Sequence, residues 1–398
     1  MYSKLPHSKF FFSFSDKYPH SIWIYLLFMN HSPMYLVQVP SKYLGLSFKL
    51  RGRRVADFNF LVEKLKSKLQ GWKARLLSQA GRATLINSVL HSLPLYTFSC
   101  FRVPESICNQ MDAITRNFWW GHDQGVRKMH FINWNRICQP RSTGGLGFKK
   151  FSLMNQAMLA KQFWRIQHNP HSLIAKTFKA KYFPRSSILD CTPKPHQSWC
   201  WRNIIKHENL KLREGRWWVG NGSNIPLNHP AWYPTQNLHN PNLTSGTVAD
   251  LIDQTSCTWK SDLVKALYPF PLCKDILGIP LSKTRVVADQ LMWKYSNSGD
   301  YNVKKAYQVL LQDTNHQSPA NHLHFSPPPA EWKVKVPLKI CNCIWRLLHD
   351  SLPTFHTLKS RGITNVGLCP LCDSGDESAT HLFLHCPFSR ACWYPLRL

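Results

Sequence analysis

The chain has 398 residues, 43 % of them hydrophobic, which is long enough for two or three domains and too apolar for disorder throughout. Fifty Lys and Arg against 21 Asp and Glu leave a formal charge of +29, an excess that repels itself unless a polyanion is at hand. Thirteen cysteines, an odd number, argue against a fully paired secreted framework and for a reducing intracellular setting, nucleus or cytoplasm.

Residues 1–41 mix aromatic side chains with Pro6, Pro19, Pro33 and Pro40 and show no helical or strand period, so they read as a poorly defined segment. The most apolar run, Ile22 to Met29, is far short of the roughly 20 residues that cross a bilayer. Lys9, Asp16 and Lys17 interrupt the apolar residues near Phe10, and no small-residue cleavage site follows, so neither a signal peptide nor a membrane partner is expected.

Residues 42–183 predict a basic helical region. Phe58, Leu61, Leu65, Leu69 and Trp72 recur at helical spacing and define one apolar stripe. Ser78 caps a second helix carrying Ala80, Ala83, Ile86, Leu90 and Leu93, which Pro94 is expected to stop. A third helix follows Pro104, with Glu105 in its first turn, Met111, Ile114 and Phe118 on one face and Gly121 at its end. After a turn at Gly144, Gly145 and Gly147, a fourth helix carries Leu153, Ala157, Ala160 and Trp164. Trp119, Trp120, Trp164 and Trp345 fall among apolar helical positions and are assigned to the core.

Around the first two helices the charge is one-sided. Lys49, Arg51, Arg53, Arg54, Lys64, Lys66, Lys68, Lys73, Arg75 and Arg82 face only Asp57 and Glu63. This stretch is a candidate sequence-independent clamp on RNA or DNA phosphates, weighed against an ordinary solvated helix face.

Residues 184–298 are rich in Trp, Pro, Asn and His, as in Arg216-Trp217-Trp218 before Gly220-Asn221-Gly222, and predict short strands and loops. Arg216, Trp217 and Trp218 are either a buried strand pair or a stacking site for bases. Residues 299–398 form a compact C-terminal unit, with a linker at 313–330 that ends in Pro327, Pro328 and Pro329. The fold class is thus mainly α with an irregular, short-strand middle and a small C-terminal domain.

The sharpest motif is Cys369-Pro370-Leu371-Cys372, followed by His381 and Cys386. Two thiolates two residues apart grip one ion from a single turn, and an imidazole and a third thiolate complete a tetrahedron. Such a set predicts structural Zn²⁺, because no coordination position is left open for water. His385 and the more distant Cys392 are rivals for the fourth place. Glu377, one helical turn before His381, is the expected acceptor for its ring N–H. Cys341 and Cys343 are too loosely set with His349 for a second site and read as buried cysteines on a helix. The chain has no adjacent Asp pair, P-loop, GxSxG or HExxH, so no catalytic residue is assigned.

Many separate segments, in order, resemble the C-terminal part of the reverse transcriptase of plant LINE-type (non-LTR) retrotransposons. They run from Lys42-Tyr43-Leu44-Gly45 through Leu69-Gln70-Gly71-Trp72-Lys73, Ser78-Gln79-Ala80-Gly81-Arg82, Phe118-Trp119-Trp120-Gly121 and Trp134-Asn135-Arg136 to Gly144-Gly145-Leu146-Gly147 and Phe163-Trp164-Arg165. The segments Gly299-Asp300-Tyr301, Leu352-Pro353-Thr354 and Cys369 to Cys386 resemble the family's zinc-binding domain. The resemblance implies that residues 42 to about 180 correspond to the thumb side of the polymerase. It implies that the paired-aspartate palm lies outside this sequence. The resulting expectation is a non-catalytic, zinc-containing nucleic-acid-binding protein. The alternatives are a reverse transcriptase fragment and a zinc module that grips a partner protein.

Overall fold

A computed structural model describes residues 42–43, 46–47, 55–72, 77–121, 128–206, 215–229, 232, 246–281, 288–316 and 335–396. Its elements are mainly helices, with three short antiparallel strand pairs. The chain folds as two units, each of non-contiguous segments: residues 1–52, 99–102 and 156–306, and residues 53–98, 103–155 and 307–398. This division cuts across the expected regions 42–183, 184–298 and 299–398. Residues 307–398 fall in one unit with 53–98 and 103–155, and residues 156–183 belong with the middle of the chain.

In the unit that holds the C-terminus, helix Asn59–Gln70 buries Phe58, Leu61, Val62 and Leu65 against helix Glu105–Trp120. The 58/61/65 spacing puts these side chains on one stripe, and the lysines between them face outward. Ser78 accepts the Gly81 amide at 3.1 Å and caps helix Gln79–Leu85. That helix widens over Ile86–Leu90 before ending. The run ends before Pro94, as expected, and Pro94 also opens the next helix, Leu95–Cys100, whose Phe98 amide donates to the Pro94 carbonyl at 2.8 Å. A proline has no N–H to lose at the first turn.

Trp119, Trp120 and Trp345 are buried in this unit. Asn155 ties helix Leu95–Cys100 to the loop that follows it, donating to the Phe98 carbonyl at 3.0 Å and accepting the Val103 amide at 2.9 Å. Helix Leu338–Leu348 buries Cys341 and Trp345, while Cys343, expected to be buried, is exposed. Residues two apart on a helix point to different faces. Helix Val303–His316 runs through the first four residues assigned to a linker; 317–330 lie outside the described residues, as does the 1–41 segment.

The other unit is organised by stacked aromatics. Trp201 packs against Phe178, Tyr182 and Phe183 at centroid distances of 5.0, 4.9 and 5.5 Å. Trp164, also buried, meets Trp293 edge-on at 5.6 Å. Strand Gly215–Trp218 pairs antiparallel with Gln290–Trp293, alternating buried and exposed so that Trp217 points in and Trp218 out. Among the described residues, no helix is long and apolar enough to cross a membrane.

Candidate metal centre

The centre is built from two short pieces of chain. In the first, the Cys369 amide donates to the Gly375 carbonyl at 2.7 Å and the Asp373 amide to the Cys369 carbonyl at 2.8 Å. These bonds fold residues 369–375 into a tight knuckle, with Asp373 in the left-handed region at φ 52°. Leu368 and Asp376 form an antiparallel bridge at its base. Gly375 lies close to the ring: a Cβ there would be 3.1 Å from Cε1 of His381 and would push the ring by a few tenths of an ångström.

In the second piece, Ser378 starts the wide helical turn His381–His385, its hydroxyl accepting the His381 amide at 3.0 Å. Cys386 stands between that turn and helix Pro387–Trp393. Pro387 holds the preceding residue in extended backbone, φ −63° and ψ 129°, which ends one helix and starts the next at the ligand.

The two pieces bring Cys369, Cys372, His381 and Cys386 together, with one sulfur or nitrogen from each within 4.8 Å of all the others. Cys369 Sγ is 4.0 Å from Cys386 Sγ, and Cys372 Sγ is 3.2 Å from His381 Nε2. Zinc–sulfur bonds of about 2.3 Å correspond to tetrahedral sulfur–sulfur edges near 3.8 Å, comparable to the Cys369–Cys386 separation, so the donor set fits this ion. Cys369 and Cys386 are fully buried, and burial raises the Cys369 thiol above its ordinary value. Hydrogen bonds from Ser374, with a further one from His381, pull the Cys372 thiol down to about 6. A thiolate is therefore at hand near neutral pH, as metal binding requires. Three sulfurs and an imidazole would hold Zn²⁺ in a closed site, where it would cross-link the two pieces.

His385 and Cys392, the rivals for the fourth place, are exposed and outside the cluster. Glu377 is corrected: its Oε2 accepts the Phe355 amide at 2.6 Å, and its carbonyl accepts that of His356 at 3.3 Å. The carboxylate thus satisfies a first-turn amide of helix Phe355–Lys359, where free N–H groups attract an anion. Ser374 and Ser378 were missed in the sequence. Ser378 had a readable signal, a small hydroxyl three residues before a helical turn.

Of the predicted clamp, Lys64, Lys66 and Lys68 are exposed on helix Asn59–Gln70. Lys49, Arg51, Arg53, Arg54, Lys73 and Arg75 lie outside the described residues. Arg82 has a structural place instead: its Nη1 donates to the Trp119 carbonyl at 3.4 Å, and a Cβ on Gly121 (φ 74°) would sit 2.2 Å from that nitrogen. Its guanidinium fills the end of helix Glu105–Trp120, where exposed carbonyls attract a cation.

Residues 301–393 match the family described as zinc-binding in reverse transcriptase. Over 350 residues, 84 % of this chain, the sequence is 28 % identical to a putative ribonuclease H protein of Arabidopsis thaliana and spans 55 % of that protein's length. Over 132 residues, 33 % of the chain, it is 36 % identical to an uncharacterized mitochondrial protein of the same plant and covers 86 % of it.

Proposed function

The chain belongs to the reverse-transcriptase-related proteins of plant retroelements, and on that premise we propose that it binds RNA or DNA on a zinc-stabilised basic scaffold and catalyses no reaction. The observation that carries this reading is the closed Cys369, Cys372, His381 and Cys386 cluster in a chain of net charge +29. A closed donor set serves architecture, and the surplus cations attract phosphate with little regard to sequence. Polymerase chemistry needs carboxylates that hold two divalent ions about 4 Å apart, and this sequence has no adjacent Asp pair.

The test combines salt-dependent binding of the zinc-loaded chain to single-stranded RNA and DNA with a primer-extension assay. Binding that weakens steeply with salt, with no extension, is expected. Extension of the primer would replace this reading with a reverse transcriptase.

One observation favours a second reading, a zinc module that grips a protein. Leu368, Leu371, Leu384 and Phe388 are each at least 47 % exposed around the centre, and Asp373 and Asp376 make its knuckle locally acidic. Apolar exposure of that kind suits a protein surface better than phosphate. Absence of RNA and DNA binding by the zinc-loaded chain, even at low salt, would favour this alternative.

A further inference from the structure

We propose that the outer face of the strand pair Gly215–Trp218 and Gln290–Trp293 is a second contact site for single-stranded nucleic acid, with Trp218 stacking on a base. The inference takes from the proposed function only that the ligand is nucleic acid. It concerns a place far in sequence from the zinc ligands.

Three observations support it. First, strand alternation sends Trp217 inward, 8 % exposed, and leaves Trp218 52 % exposed. Arg216, also exposed, pairs across the strands with Met292, and Trp218 pairs with Gln290. Second, Arg216, Trp218 and Met292 border a cavity of about 690 Å³, the size of a small-ligand site. Its rim carries Arg216, Lys274 and Lys294 against one carboxylate, Asp275. An indole among cations is what a single strand needs: a ring for the base and positive charge for the flanking phosphates.

Third, the turn that follows Trp218 is held by a single side chain. Asp289 Oδ1 accepts the amides of Gly220 and Gly222, both at 2.8 Å, and its Oδ2 accepts that of Asn224, also at 2.8 Å. The turn after the strand is therefore pinned by one carboxylate. A stacking platform held in place loses little conformational entropy on binding. Duplex bases are already stacked on one another, so the site selects single strands.

The experiment uses the full, zinc-loaded chain and two labelled oligonucleotides of about 12 units, one with bases and one abasic throughout. Trp218→Ala is expected to weaken binding of the base-bearing strand about tenfold and to leave the abasic strand unchanged. Trp218→Phe should restore most of the loss. Arg216→Gln should weaken both strands alike, since it acts on phosphate. Wild-type affinity of Trp218→Ala for the base-bearing strand would overturn the proposal while leaving the proposed function standing. So would equal weakening on both strands. If the wild-type chain bound neither oligonucleotide, both readings would fall.

Discussion

The indole of Trp345 donates a hydrogen bond to the carbonyl oxygen of Gly144 at 2.8 Å, across 201 residues of sequence. Trp345 is fully buried, and its neighbour Arg346 reaches Gln79 Oε1 at 3.2 Å. Helix Leu338–Leu348, which leads to the zinc-binding segment, is thus part of the same core as the basic helices. Trp345→Ala is expected to cost about 3–5 kcal/mol by opening a cavity, and it also strands the Gly144 carbonyl. Trp345→Phe should cost less. Chemical denaturation measures both, and a change below about 1 kcal/mol in the alanine variant would show that the helix is not held this way.

The zinc centre makes its own prediction. Cys372→Ser and Cys386→Ser should purify with little zinc, whereas His385→Ala and Cys392→Ser should match the wild type in metal analysis. A chelator should lower the midpoint of thermal unfolding, because the binding energy of a structural ion is folding energy. Wild-type zinc in Cys372→Ser would remove that residue from the ligand set.

Glu377 separates capping from metal binding. Glu377→Ala should destabilise the chain by about 1 kcal/mol through loss of the Phe355 amide bond and leave its zinc content unchanged. A loss of zinc comparable to that of a ligand variant would restore the carboxylate to the ring of His381.

Asp112 predicts a pH dependence. Burial raises its carboxyl to about 7, against which the Phe151 amide, 3.3 Å from Oδ1, is a smaller opposing effect. The folded state therefore binds a proton that the unfolded chain releases near pH 4. This contribution is fully present below pH 4 and is lost as pH rises through 7. Asp112→Asn should abolish it, so the stability of the variant relative to wild type should rise between pH 5 and pH 8. The gain has an upper bound of about 3 kcal/mol. Taking the difference between the two proteins cancels the effect of acid on the zinc ligands, and a difference that did not vary with pH would refute the assignment.

On nucleic acid, Lys64, Lys66 and Lys68 offer the cleanest test, because all three are exposed on one helix. Replacing them with Gln should flatten the slope of log affinity against log salt by about 0.9 for each phosphate that the three lysines neutralise. Arg82→Gln should instead lower stability, since that side chain is spent on Trp119 and Gly121. An unchanged salt slope in the lysine variant would take helix Asn59–Gln70 out of the interface.

Local chemistry made much of this protein readable in one dimension. The stripe from Phe58 to Leu65, the Ser78 cap and Gly121 at the end of a helix are set by residues within a few positions of one another. The knuckle is also local: two cysteines two residues apart can meet one ion whatever the rest of the chain does. The partners of Glu377 and Arg82 were not readable, because a charged side chain goes to the nearest uncompensated backbone dipole, and only folding decides which dipole that is. The same holds for the two units. Sequence order suggested a tail separate from the basic helices, but the apolar face around Trp345 needed a core to bury it, and residues 53–98 and 103–155 share the unit in which it is buried. Periodicity and ligand spacing are properties of neighbours along the chain, whereas burial is a property of neighbours in space.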